Sequence, residues 1–368
     1  MSICHLRPLL LLFFALLPAA LVCAGEDEIL VGAIRWDAWF KGGSPSEKLL
    51  APEQWMYRLP FYARIVSATV VTVRSDSQQV MDHEIKYAAK AGLDYWAFCY
   101  YHPAAFPGAD DYNYGWRLFL SNYRKDGMKF CLIGHGRHLG PPGEWPATAG
   151  TLVRLMQDDN YLKVLDGRPV MFFMSIRDMV EKFGSWEGVG RAMDVLREMA
   201  RKGGVGDPYL VLQDRSATDA AEYAGKLGFP AISGYSAHGE GEPGERPYRD
   251  LVLANRNFWK AELATGKQVI PLVNTGWDPR PRLANPALVK TYQGPWYLPP
   301  REEELEEHVR TAVRWVGENR ANAASGMVLI YGWNLFDEGG WLVPTRGEKG
   351  SRLLAVARAL GRRRSRLE

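Results

Sequence analysis

Towards its C-terminal end the sequence runs Val328-Leu329-Ile330-Tyr331-Gly332 and then breaks into Trp333-Asn334-Leu335-Phe336-Asp337-Glu338-Gly339-Gly340-Trp341. The apolar part has the length and composition of a buried strand. The polar part places two carboxyl groups, Asp337 and Glu338, beside aromatic rings and permissive glycine backbone. A carboxylic acid at a strand end can hand a proton to a bridging oxygen, and Trp or Tyr rings stack on the apolar C–H faces of pyranoses. A polar strand-to-helix loop with an acidic helix cap would have the same composition, so the remaining strand ends decide the reading.

Those ends repeat the pattern. Successive apolar runs release Trp36 and Asp37, then Tyr101 and His102, then His135 and Arg137. Later runs release Gln213, then Tyr235 and His238, then Trp277 and Asp278. Nearly every exit carries an aromatic, a His or a carboxylate, which is the lining expected of a carbohydrate pocket. The catalytic candidates are Glu338, Asp337 and Asp278. The candidates for holding sugar hydroxyls and ring faces are Trp36, Asp37, Tyr101, His102, His135, Arg137, Gln213, Tyr235, His238, Trp277, Asn334 and Trp341. Trp96, inside its run, reads as core, and Asp94, at the start of the same run, reads as structural. His135 and His138 have the spacing of two metal ligands, but no His-x-His or His-Glu-x-x-His accompanies them, so no metal and no other cofactor is expected. There is no Gly-x-Ser-x-Gly elbow of a serine hydrolase.

To bring these ends together the chain must alternate strands and helices. Strands are expected over Ile29–Ile34, Tyr95–Tyr101, Lys129–Gly134, Pro169–Met174, Tyr209–Gln213, Ala231–Tyr235, Val269–Asn274 and Met327–Trp333. Most lack two-residue alternation, as strands covered on both faces do. Ser75 or Asp76 is positioned to cap a helix carrying Val80, Ile85, Ala88 and Ala91 and stopped by Gly92. Leu305, Val309, Ala312, Val313 and Val316 recur at helical spacing behind Glu302-Glu303-Glu304. Further helices are expected around Trp116–Tyr123, Gly188–Arg201, Thr218–Leu227 and Asp250–Ala264. Eight strand–helix repeats in a chain of 368 residues predict an α/β fold, a (β/α)₈ TIM barrel forming a single domain over residues 25–361. The extra length falls after the first strand (Trp36–Val73) and after the seventh (Thr275–Pro300). An open doubly wound sheet is the competing architecture, but no Gly-x-Gly-x-x-Gly turn or P-loop favours it.

The two ends read differently from the body. Arg7 precedes an apolar stretch from Leu9 to Val22, and Val22-Cys23-Ala24-Gly25 fits a signal-peptidase site, so residues 1–24 are expected to be a signal peptide. This predicts an exported protein, secreted or periplasmic; Cys23 leaves lipid anchoring as the less favoured alternative. No later run is long and apolar enough to span a bilayer. The net charge is only +3, and much of the basic excess lies in Arg362-Arg363-Arg364-Ser365-Arg366, read as a disordered solubilising tail over residues 362–368. No nucleic-acid footprint appears. Of the four cysteines, Cys99 and Cys131 lie in the body, each inside a strand-like run, and read as buried thiols that a single bridge could join.

Several segments, in order, resemble the glycoside hydrolase family 99-like group, the endo-α-mannosidases with their WbsX-like and family 71-like bacterial relatives. Trp333-Asn334-Leu335-Phe336-Asp337-Glu338-Gly339 falls on that group's Trp-Asn-Glu-Trp-x-Glu-Gly segment. Gly276-Trp277-Asp278-Pro279-Arg280-Pro281-Arg282 falls on its Gly-Trp-Asp-x-x-Pro-Arg segment. Gly92–Tyr101 is similar to its second strand, and Asn160–Val170 to the approach to its fourth. The resemblance implies a TIM-barrel glycoside hydrolase acting on a polysaccharide or glycan. It implies two carboxylates on the last loop, one an acid for the leaving oxygen and one a base for the sugar 2-hydroxyl. Glu338 stands at the acid position; the base position is Leu335, which accepts no proton. That leaves three readings. Asp337 or Asp278 takes the base role, or Glu338 works with a partner spaced for ordinary inverting or retaining cleavage, or the barrel binds carbohydrate without cutting it.

Overall fold

In a computed structural model of the chain, the residues described are Met1, 29–41, 46–283 and 292–361. The expected signal peptide with Cys23 and the expected basic tail lie outside them. Eight strands form the parallel sheet that organises the rest: β1 Leu30–Arg35, β2 Tyr95–Tyr100, β3 Lys129–His135 and β4 Arg168–Met174. Next in the chain are β5 Tyr209–Gln213 and β6 Ala231–Ser233. Then come β7, in two pieces, Gln268–Ile270 and Leu272–Asn274, and β8 Met327–Tyr331. The first piece of β7 pairs with β6 and the second with β8, while β8 pairs with β1. The ladder therefore runs a full circuit, and the predicted barrel is the fold observed. Pro271 explains the break in β7, since it has no N–H for the ladder; its carbonyl still accepts from Leu329 N at 3.1 Å.

All eight strands are parallel, so their C-terminal residues share one face. β2, β3, β4, β5 and β8 are buried almost throughout, which is why their sequences run continuously apolar. At the opposite end Asp94 accepts from Val31 N at 2.8 Å, a structural tie between β1 and β2. Trp96 is fully buried, and Cys99 and Cys131 are both buried free thiols.

Helices fill the connections. After a short helix, Ser46–Leu49, the helix Gln78–Lys90 is capped by Ser77, whose side chain accepts from Val80 N. The expected cap is Ser75 or Asp76; Ser75 is instead fully buried and bonded to the Tyr114 hydroxyl. The helix expected near residue 116 is Tyr114–Ser121, and the acidic helix is Glu302–Glu318 with Leu305, Val309, Ala312 and Val316 buried. The long connection after β4 holds two helices, Ile176–Phe183 and Trp186–Lys202. A helix over Trp145–Met156 had no prediction; Pro146 and Gly150 disguise it, although proline in a first turn is well tolerated. The insertion after β1 contributes a 3₁₀ turn, Glu53–Arg58, and a hairpin, Arg64–Ser67 with Val70–Thr72.

Candidate active site

The segment after β8 is a tight hairpin. Asn334 pairs with Trp341 and Leu335 with Gly340, and Phe336–Glu338 form the turn between them. Its root is anchored to β1: Trp333 N donates to Ile34 O at 2.7 Å, and Asn334 Oδ1 accepts from Trp36 N at 2.9 Å. Its tip is pressed against the loop after β7. Asp278 N donates to Glu338 O at 2.7 Å. A Cβ on Gly339 would lie 2.4 Å from Asp278 N, and one on Gly276 2.3 Å from Gly339 O. Only glycine permits that approach, and Gly339 also needs its positive φ of 88°.

Pressed together in this way, the two loops bring Arg282 onto both acids of the turn. Its Nε and Nη2 fork onto Asp337 at 2.7 and 3.3 Å, while Nη1 bonds Glu338. The other oxygen of Glu338 accepts from the Tyr331 hydroxyl. The two carboxyls differ in one decisive respect. The Asp337 side chain is 0% exposed, whereas that of Glu338 is 12% exposed and opens into a cavity of about 240 Å³. Trp36, Tyr101, Tyr235, His135, Met174, Cys99 and Leu335 share that cavity. Burial pushes the Glu338 carboxyl above the ordinary carboxylate range, and Asp337 reinforces the rise; Arg282 and Tyr331 pull the other way without cancelling it.

The rings of the cavity are held by polar tethers. Trp36 donates through Nε1 to the Tyr101 hydroxyl at 2.9 Å, and the Arg282 guanidinium lies 5.0 Å from the centre of a Trp36 ring. His135 is engaged at both nitrogens. Nδ1 accepts from Arg137 N at 3.2 Å, which places the proton on Nε2, 3.1 Å from Ser175 Oγ. Burial lowers its pKa to about 4, so the ring is neutral near pH 7. Met174 and Tyr235 also line a hollow of about 340 Å³ with Gln213, Asp214, Arg215 and Ser236. Asp214, Arg215 and Ser236 continue into a third hollow of about 520 Å³, which His238 lines. The C-terminal strand ends thus carry a run of three adjoining depressions.

Other candidates sit elsewhere. Asp278 is 4% exposed and held by Arg58 and by Arg280, the latter at 2.8 and 2.9 Å. Asp37 is buried on Arg35 at 2.8 Å, and Arg35 also meets Glu84 at 2.7 Å behind the barrel wall. Asn334 is fully buried in its bridging role, and Trp341 packs under Arg352, 3.6 Å from its ring centre. Trp277 lies flat against His238, 4.2 Å between centroids, and bonds Tyr292 through Nε1. His102 accepts from Ala104 N and faces Glu144 at 3.5 Å, while the Arg137 side chain points outward, 69% exposed, to Asp178. None of these lines the cavity at Glu338. Sequence reasoning passed over Arg282, Tyr331, Cys99 and Met174. Arg282 had a signal, as the last residue of the Gly276–Arg282 segment. Among the described residues no group of three His, Cys, Asp or Glu side chains could hold a metal ion.

A closed parallel barrel with its polar groups gathered on the C-terminal strand ends is the architecture of many carbohydrate-active enzymes. No family model matches the sequence, and no curated protein matches it. Solved structures do match in fold. A family 99 endo-α-mannosidase from Bacteroides thetaiotaomicron, in complex with bis-tris-propane, superposes with a TM-score of 0.60 at 13% identity, covering 90% of this chain and 96% of that one. A glycoside hydrolase-like protein gives 0.61 at 13% identity, over 90% and 94%. A second structure of the Bacteroides mannosidase gives 0.55 at 13% identity, over 90% and 95%. The likeness runs the length of the barrel and establishes the fold.

Proposed function

We propose that this barrel hydrolyses a glycosidic bond in a polysaccharide or glycan, with Glu338 as the proton donor. The observation that carries the reading is the placement of one protonatable carboxyl in an aromatic cavity at the strand ends, with burial raising its pKa. A donor must hold its proton near neutral pH and then bear the negative charge it acquires. Burial supplies the first property. Arg282 and the Tyr331 hydroxyl supply the second, since both bond the carboxylate left behind. Trp36, Tyr101 and Tyr235 offer ring faces to the sugar, and the two adjoining hollows give room for neighbouring units of a chain.

Glu338→Gln should lower turnover of a cleaved glycan by at least about 10²-fold, the lower range for a lost general acid, while sugar affinity measured by calorimetry changes little. Turnover equal to wild type would remove Glu338 from the chemistry. A specific observation favours a second reading, a carbohydrate-binding barrel without catalysis. Leu335 brings no proton acceptor to the cavity, and Asp337 and Asp278 are both tied into ion pairs. A panel of mannans, host glycans and algal polysaccharides separates the two: new reducing ends support hydrolysis, and saturable binding without product supports the second reading.

A further inference from the structure

Glycoside cleavage needs two contributions at the sugar: a proton for the departing oxygen, and electron density delivered to the anomeric carbon from the opposite side. Enzymes usually supply the second with another carboxylate, acting as nucleophile or as base for water. Among the described residues the cavity holds no such group. Glu338 is its one carboxyl; Arg282 and His135 are its other ionisable nitrogen groups, and Leu335, Met174 and the aromatic rings supply its apolar surface. Asp337, Asp278 and Asp37 are each buried against arginine, and Asp214, in the adjoining hollow, accepts from Ser216 N at 3.0 Å and does not line this cavity. His135 has both nitrogens occupied, and burial pushes the Cys99 thiol up to about 12, so it stays protonated.

We infer that the substrate brings its own nucleophile: the unit cleaved is a 2-acetamido-2-deoxy sugar whose amide oxygen attacks its own anomeric carbon. This rests on the reading of Glu338 as proton donor. The distinction from a 2-hydroxy sugar is one of proton inventory. A hydroxyl must lose a proton to become an effective nucleophile, and the cavity offers no base to take it. An amide carbonyl oxygen has no proton to lose, carries excess electron density by resonance, and needs only to be held in position. Leu335 and Met174, both in the lining, offer apolar surface to the acetamido methyl group.

The steps balance without any other reactant. Glu338 gives its proton to the glycosidic oxygen, the bond from that oxygen to C1 breaks, and the alcohol departs. The acetamido oxygen forms a bond to C1, giving a cyclic oxazolinium ion opposite the Glu338 carboxylate. Water then attacks C1, the carboxylate takes a proton from it, and the C1–oxygen bond of the ring breaks to restore the acetamide. Two displacements at C1 leave the anomeric configuration unchanged, and the geometry requires the acetamido group and the leaving group on opposite faces.

The test uses the full chain and aryl glycosides of 2-acetamido-2-deoxy sugars in both anomeric forms, with 2-hydroxy counterparts. Replacing N-acetyl by mono-, di- and trifluoroacetyl drains density from the carbonyl. kcat/KM should fall by about tenfold or more across the series, a barrier change of ~1.4 kcal/mol. Product anomers read by NMR should show retention. A bicyclic thiazoline, with sulfur where the amide oxygen closes the ring, should bind in calorimetry with Kd below about 1 mM. A flat fluorination series, an inverted product, preference for 2-hydroxy substrates or absent thiazoline binding would each overturn the inference. If 2-hydroxy glycosides are cleaved and Glu338→Gln abolishes it, hydrolysis by Glu338 stands and the acetamido assignment falls. If Glu338→Gln cleaves as wild type does, the proton-donor reading itself falls.

Discussion

At Glu338, burial and a neighbouring arginine pull the carboxyl pKa in opposite directions. Its folded pKa lies above the unfolded value because burial disfavours the charged form. Its contribution to stability is therefore complete below the ordinary carboxylate range and is lost as pH rises through the raised folded value. Glu338→Gln removes that titration, so the variant's melting temperature should gain on wild type as pH rises above the ordinary carboxylate range. A gap that stays constant over that rise would contradict the raised pKa. Asp37 titrates in the same sense for a structural reason: burial pushes it up to about 6 despite Arg35. The sequence singled out Glu338 as a candidate through its strand end and its neighbours. Residue types alone do not separate Glu338 from Asp337; only the resemblance set Glu338 at the acid position, and the turn leaves its side chain 12% exposed and that of Asp337 0%. Nor could the sequence foresee that Asp278 would be claimed by Arg58, 220 positions away.

Elements, rather than single residues, decide which exits become lining. β1, β2, β3 and β4 deliver Trp36, Tyr101, His135 and Met174 to the cavity, and the β8 hairpin delivers Leu335 and Glu338. β1 also carries Arg35, whose charge is answered by Asp37 and by Glu84 on the Gln78–Lys90 helix, with both Arg35 and Glu84 fully buried. That network fixes the helix against the strand that positions Trp36. Glu84→Ala leaves the guanidinium short of a partner it cannot replace with water, and should cost about 3–5 kcal/mol in denaturant unfolding. A loss under about 1 kcal/mol would show that the network is not what joins these elements. Strand positions were legible because continuous apolar runs of strand length admit few alternatives. The helix caps and the split in β7 were not, since Ser75, Asp76 and Ser77 are chemically equivalent until tertiary packing takes one of them inside.

At the scale of the molecule, the barrel turns scattered strand ends into a single face, and the three adjoining hollows extend from β8 and β1 across β4 and β5 to β6. A ligand long enough to track along them should bind more tightly with each added sugar until the run is filled. Calorimetry on an oligosaccharide series should show affinity rising over the first few units and then levelling, and Tyr235→Ala, at the junction of two hollows, should flatten that rise. Equal affinity for mono- and oligosaccharides would confine recognition to the cavity at Glu338. The architecture itself was legible from the count of alternating elements, whereas the path of the depression was not, because it depends on side chains turned aside by partners distant in sequence.

The contact between Gly276 and Gly339 carries a consequence for altering this protein. Arg58, from the insertion after β1, donates through its guanidinium to the carbonyls of Asp278 and Phe336, and Asp278 N donates to Glu338 O, so three excursions from the barrel interlock. They behave as one casting. Grafting any one of them from a relative would dislodge the carboxyl it was meant to retune, and specificity would have to be transplanted by moving all three as a set.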